Sequence, residues 1–264
     1  MPSFAVSIAI LSLVQAGLVA LPAQRSWPWL DGLRSRWWAL IPALSIVVVV
    51  AIIELDAGSA TALACLALVA VPPLAALALG LLVRGSRPAW ALAAVPLFAL
   101  AWAAHGSLAG EVAATALSGL ACIALGWILV SAVPAYWLRL GVYAMAAIDT
   151  WFVASDLLQG PNAVLSAATP GGGLPRLQAV HFGAAQMGFG DLFIAALVGC
   201  LLAADGPEIC LYGVRSVHRQ MVGAGLVACL ALVFDLLFFA VDELPATVPV
   251  AVALLFVSRP RLNI

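Results

Sequence analysis

Met187-Gly188-Phe189-Gly190-Asp191 opens an apolar run, Leu192 to Ala204, that carries no other charge. An ionised carboxylate at the edge of hydrocarbon costs a few kcal/mol or more, so an Asp in this setting marks a functional site before it marks filler. The preceding apolar segment, Tyr143-Ala144-Met145-Ala146-Ala147-Ile148-Asp149-Thr150-Trp151, contains a second such residue, Asp149. Two carboxylates on neighbouring apolar segments make an acid/base pair the first expectation.

The rest of the chain fits a lipid setting. Its 264 residues are 65% hydrophobic and 9% charged, whereas soluble domains carry about 25% charged residues. The composition predicts an all-α, multi-spanning membrane protein. A net charge of −1 offers no basic surface for nucleic acid. All eleven basic residues are Arg, which we ascribe to a GC-rich genome. Cys65, Cys122, Cys200, Cys210 and Cys229 are scattered, and four of them lie in apolar runs, so they read as small buried hydrophobes with no disulfide framework. No Cys/His spacing resembles a zinc site, and no metal or cofactor is expected. Phe4 to Leu21 has no basic residues ahead of it, and Arg25 comes after it. That order predicts a retained first helix rather than a cleaved signal peptide.

A bilayer core takes roughly 20 apolar residues per helix. Nine spans are expected on that ruler: Phe4–Leu21, Trp37–Ile53, Ala60–Val83, Ala89–Ala104, Val112–Val133, Tyr136–Leu158, Met187–Ala204, Met221–Val241 and Leu244–Val257. Pro72-Pro73 should kink the third, and the ninth should begin irregularly at Leu244-Pro245. The first five spans (residues 1–133) read as a scaffold and the last four (134–264) as the catalytic half, with one long connection, 159–186. That connection contains Gly160-Pro161, Pro170, Gly171 to Gly173 and Pro175, and predicts a mobile loop enclosing a short helix or strand.

Short cytoplasmic loops are enriched in Arg. Arg25, Arg34 and Arg36 follow the first span, Arg84 and Arg87 the third, Arg139 the fifth, Arg215 and Arg219 the seventh, and Arg259 and Arg261 the ninth. The intervening loops carry Glu54 and Asp56, then Glu111, then Arg176 alone, then Asp242 and Glu243. The alternation predicts an external N-terminus, a cytoplasmic C-terminus and an external 159–186 loop. Trp27, Trp29, Trp37 and Trp38 then read as anchors at the first inner interface.

Hydrolysis by two carboxylates needs one ionised to activate water and one protonated to hydrogen-bond the substrate carbonyl. Placing them close makes a shared proton favourable. Gly188 and Gly190 lack Cβ, so the backbone beside Asp191 is free to take positive φ and to be approached closely by another chain. A bare Gly-x-Gly is otherwise a helix-packing pattern. The Asp that follows it, with a partner one span earlier, favours the chemical reading.

Gly188-Phe189-Gly190-Asp191 closely resembles the Gly-x-Gly-Asp signature of the presenilin and signal peptide peptidase intramembrane aspartyl proteases. In that family the partner Asp lies in the sixth helix, usually after Tyr, with Gly-Pro about a dozen residues on. Asp149, followed by Gly160-Pro161, matches this arrangement. A Pro-Ala-Leu motif opens the family's ninth helix, and Pro245-Ala246-Thr247 stands at that place. Two positions depart from the pattern: Ile148 replaces Tyr and Thr247 replaces Leu. The resemblance covers three segments of the C-terminal half and the nine-span layout, as in a prokaryotic-type homologue. It implies a multi-pass aspartyl endopeptidase of the plasma membrane with catalytic Asp149 and Asp191. Gly188, Phe189, Gly190, Pro245, Ala246 and Thr247 would shape its substrate cleft, and no cofactor is implied. The arginine-derived orientation is that of signal peptide peptidases, which implies type II or signal-peptide-like transmembrane substrates among the membrane lipids.

Other readings stay open. Prepilin peptidases also use Gly-x-Gly-Asp, although they usually place a Lys shortly after the Asp and this chain has none. Paired membrane carboxylates also serve proton-coupled transporters and channels. A third reading is an inactive homologue that binds membrane helices. Asp156, two turns beyond Asp149, reads as interfacial with a secondary role. Asp235 should face the bundle interior, hydrogen-bonded or protonated, and His181 should be solvated.

Overall fold

The computed structural model describes residues 2–25, 32, 34–56, 58–155, 157, 159–206, 208–211, 214–239 and 244–258. Asp156, Trp27, Trp29, Asp242, Glu243, Arg259 and Arg261 lie outside the described residues. The chain is mostly helical. Among the described residues the α-helices are α1 (Phe4–Ala20), α2 (Ile41–Leu55), α3 (Gly58–Leu77), α4 (Ala94–Ala103), α5 (Leu108–Ala132), α6 (Ala135–Ala154), α7 (Gln159–Ala167), α8 (Phe189–Ala204), α9 (Arg219–Asp235) and α10 (Thr247–Val257). Two antiparallel hairpins interrupt them, β1 (Ala179–Phe182) with β2 (Ala185–Gly188) and β3 (Glu208–Leu211) with β4 (Val214–His218).

Local chemistry sets several boundaries. Ser107 opens α5 as its N-cap, its hydroxyl accepting the Gly110 N–H at 3.3 Å. Pro134 separates α5 from α6, because the residue before a proline is pushed out of the helical region. Pro72 and Pro73 lie inside α3, which continues through them and widens into a π-helical stretch at Ala78–Leu82.

α5 is the central helix. One face packs chiefly on α8, within a core shared with α1, α6, α9 and α10 that includes Leu11, Ile123, Leu138, Leu197 and Leu254. Its other face joins α3 and α4 in a second cluster around Val71, Ala101 and Leu117. Outward faces stay apolar: Leu44, Leu66, Val69, Leu92, Val95 and Phe256 are all exposed.

Among the described residues two helical stretches are long and apolar enough to cross a membrane, Gly58–Leu82 and Leu108–Ala132. Several expected spans are shorter than the sequence predicts. The seventh does not start at Met187: Met187 and Gly188 belong to strand β2, and α8 begins at Phe189. The ninth begins irregularly at Leu244-Pro245, as expected, and α10 starts at Thr247. The 159–186 connection holds helix α7 and most of the β1–β2 hairpin, with its first strand at Ala179–Phe182. Cys122 and Cys200 are buried, whereas Cys65 and Cys229 are exposed on apolar outer faces, contrary to the expectation that they fill the core.

The hairpin that leads into Asp191 is clamped at its tip. Gly183 adopts φ +59°, and a Cβ there would lie 2.5 Å from Ser7 Oγ. Its N–H donates to Glu111 Oε2 at 2.8 Å, and the Ala184 N–H donates to Ser7 Oγ at 3.2 Å. His181 is half-buried on β1, and its Nε2 has no hydrogen-bond partner among the described residues, so the expectation of a solvated imidazole is corrected. The hydrophobic pattern of Ala179-Val180 draws the strand, and His181 with it, against α1 and α5. Burial pulls the His181 imidazole below its ordinary value, the Arg176 guanidinium adds to this, and the Glu111 carboxylate opposes it. A histidine whose folded value lies below its unfolded value of about 6.5 stabilises the fold fully above that pH and less as pH falls. The protection of the Gly183 and Ala184 amides, taken relative to their intrinsic exchange rates, should therefore fall as pH drops below about 6.5 in the wild type and fall less in His181→Gln. An equal loss of protection in both chains would contradict this.

Candidate active site

α6, α8 and α10 bring the three signature segments together. Asp149 lies in the last turns of α6 and is buried. Thr247, the first residue of α10, is 1% exposed and donates its hydroxyl to Asp149 Oδ2 at 2.6 Å. Thr247 is sequence-distant from Asp149, and its place at the start of α10 turns its hydroxyl toward the carboxylate.

Asp191 is the third residue of α8 and is partly buried. Its Oδ2 accepts the Gly188 N–H at 3.2 Å, so the carboxylate also caps its own helix. Asp191 and Asp149 stand on adjoining helices within electrostatic reach of each other. Met145, one turn before Asp149, reaches across from α6 to α8: a Cβ on Gly190 would lie 3.5 Å from its Cε.

The signature glycines do not act as expected. Gly188 has φ −67°, and neither it nor Gly190 is among the positive-φ glycines. A Cβ at Gly188 would stand 3.1 Å from Asp191 Oδ2, so this glycine leaves room for the carboxylate itself. The Gly190 position permits an ordinary van der Waals contact. Tight backbone approach occurs instead at Gly199, where a Cβ would meet Leu18 O at 2.6 Å and Val19 O at 2.7 Å.

No protein-family model, no curated protein and no solved structure matches this chain.

Polar residues of the apolar helices that the sequence reading does not single out support the site. On α1, Ser12 donates to Asp235 Oδ2 at 2.8 Å, and Gln15 Nε2 donates to the Ala246 carbonyl at 3.4 Å. Asp235 is thus tied to α1. Pro245 is buried, and Ile148 is partly buried on α6 beside Asp149. At the arginine-rich ends, Arg139 and Arg219 both pair with Asp205. Gln220 Nε2 lies within bonding distance of the Val19, Pro22 and Gly199 carbonyls, and its Oε1 accepts from Arg84. The signal for α1 is present in the sequence, as three polar residues, Ser7, Ser12 and Gln15, in one otherwise apolar helix. Among the described residues no group of His, Cys, Asp or Glu could hold a metal ion.

Proposed function

We propose that this chain is an intramembrane aspartyl endopeptidase that cleaves type II or signal-peptide-like transmembrane segments. The observation that carries the reading is the convergence of Asp149, Asp191 and Thr247. They come from three sequence-distant segments, meet where α6, α8 and α10 pack, and correspond to the three motifs of the family the chain resembles. The apolar outer faces of α2, α3, α4 and α10 support a multi-pass membrane protein of about nine spans. The arginine alternation supports an external N-terminus and a cytoplasmic C-terminus. A protein in water rarely leaves such large apolar surface uncovered.

In this mechanism one carboxylate takes a proton from water as the water oxygen bonds to the scissile carbonyl carbon. The other carboxyl gives its proton to the carbonyl oxygen. Collapse of the tetrahedral diol breaks the C–N bond, the proton taken from water passes to the departing nitrogen, and the second carboxyl is reprotonated from the diol. A pair within Coulomb range on adjoining helices suits that exchange.

Purified protein in detergent, with no ion gradient, should cut a panel of type II transmembrane reporter peptides. A chain that cuts none of them in any lipid, yet moves protons across a vesicle membrane, would instead be a transporter.

A further inference from the structure

The geometry points to Thr247 as a positioning residue that holds Asp149 by its Oδ2 oxygen and leaves Oδ1 to exchange a proton with water or substrate. This rests on the proposed endopeptidase reading and deepens it. At this position the resembled family carries Leu, which has no side-chain donor, so the contact belongs to this chain.

Three features support the role. The bond is short, at 2.6 Å, and both partners are buried, so no water competes for either atom. The donor is itself anchored: Pro245 is buried, the Val248 N–H closes a turn onto the Pro245 carbonyl at 3.1 Å, and Gln15 holds the Ala246 carbonyl. Asp191 is held in the same manner, by the Gly188 N–H on its Oδ2. Each carboxylate is therefore fixed through one oxygen. A carboxylate free to rotate about its χ2 bond would spend much of its time away from the reacting geometry, and small misplacements are costly in rate.

Thr247→Val keeps the branched shape and removes the hydroxyl, whereas Thr247→Ser keeps the hydroxyl. Thr247→Val should lower kcat by about ten- to a hundredfold with KM within about twofold and a shifted pH-rate profile, and Thr247→Ser should stay within about threefold of wild type. A second readout does not depend on cleavage. In infrared spectra of protein labelled with 13C-carboxyl Asp, the band lost in Asp149→Asn should move in Thr247→Val and stay in place in Thr247→Ser. Wild-type cleavage that Thr247→Val leaves unchanged would overturn the positioning role while keeping the endopeptidase reading. Failure of the wild type to cleave would overturn the endopeptidase reading, and the infrared band would then decide the contact: a Thr247-dependent band supports it, and an unmoved band overturns it.

Discussion

Asp191→Asn should reduce hydrolysis by at least about a thousandfold, because groups that act as a unit in proton transfer lose most of the rate when either is removed. Asp191 also has a structural role, since its Oδ2 accepts the Gly188 N–H at the start of α8. The Asn side-chain oxygen accepts the same N–H and fills the same volume, so the helix start survives while the acid is lost. Thermal stability in detergent should stay within about 2 °C of wild type, a shift of at most about 1 kcal/mol. Asp191→Ala should lose the cap as well, at about 1 kcal/mol. A chain that is inactive as Ala but active as Asn would show that Asp191 matters for capping alone. Asp149→Asn should give the same loss of rate. The double variant should be little worse than either single one, as expected of residues that share one proton-transfer task.

Gly199→Val should be among the most damaging single changes to the fold. Leu18 O, Val19 O and Val19 Cα lie 2.6, 2.7 and 2.8 Å from the position a Cβ would take. All three are backbone atoms, so no side-chain rotamer relieves the clash and α1 must move away from α8. Overpacking costs typically about 1–3 kcal/mol, and a rigid backbone neighbour puts this site at the upper end or beyond. The shift would also pull Gln220 from the Val19 and Gly199 carbonyls that it bridges. Gly17 on α1 provides the control, because nothing lies within 4 Å of its Cβ position. Gly17→Ala should leave the melting temperature unchanged or raise it slightly, since Ala favours a helix over Gly by about 1 kcal/mol. Equal melting temperatures for the Gly199 and Gly17 variants would contradict the α1–α8 contact.

Apolar runs bounded by arginines, acidic residues and prolines locate most helices from the sequence, because burial is written in composition. Met187-Gly188 reads as part of the seventh span because the apolar run is continuous there, and a run alone does not distinguish a buried strand from the first turn of a helix. The two aspartates stand out because charge is rare in this chain. Thr247 does not stand out: in one dimension it is a departure from a motif, and only the packing of α10 on α6 turns it into a hydrogen-bond donor to Asp149. The glycines show the same limit. Gly-Phe-Gly-Asp draws attention to Gly188 and Gly190, whereas close backbone contacts fall at glycines such as Gly141 and Gly199, which no local pattern separates from their neighbours. Ser12 and Gln15 are easily missed because the apolar residues around them dominate α1, and their partners, Asp235 and Ala246, lie more than two hundred residues away in the chain.

The most direct test of the two-carboxylate account is mass spectrometry of a type II transmembrane reporter incubated with the protein in liposomes prepared in 18O-water, beside Asp149→Asn and Asp191→Asn. The account predicts a cut within the membrane segment, a single 18O in the new carboxyl terminus, and no fragments from either variant. No fragments from the wild type, or fragments that persist in both variants, would contradict it.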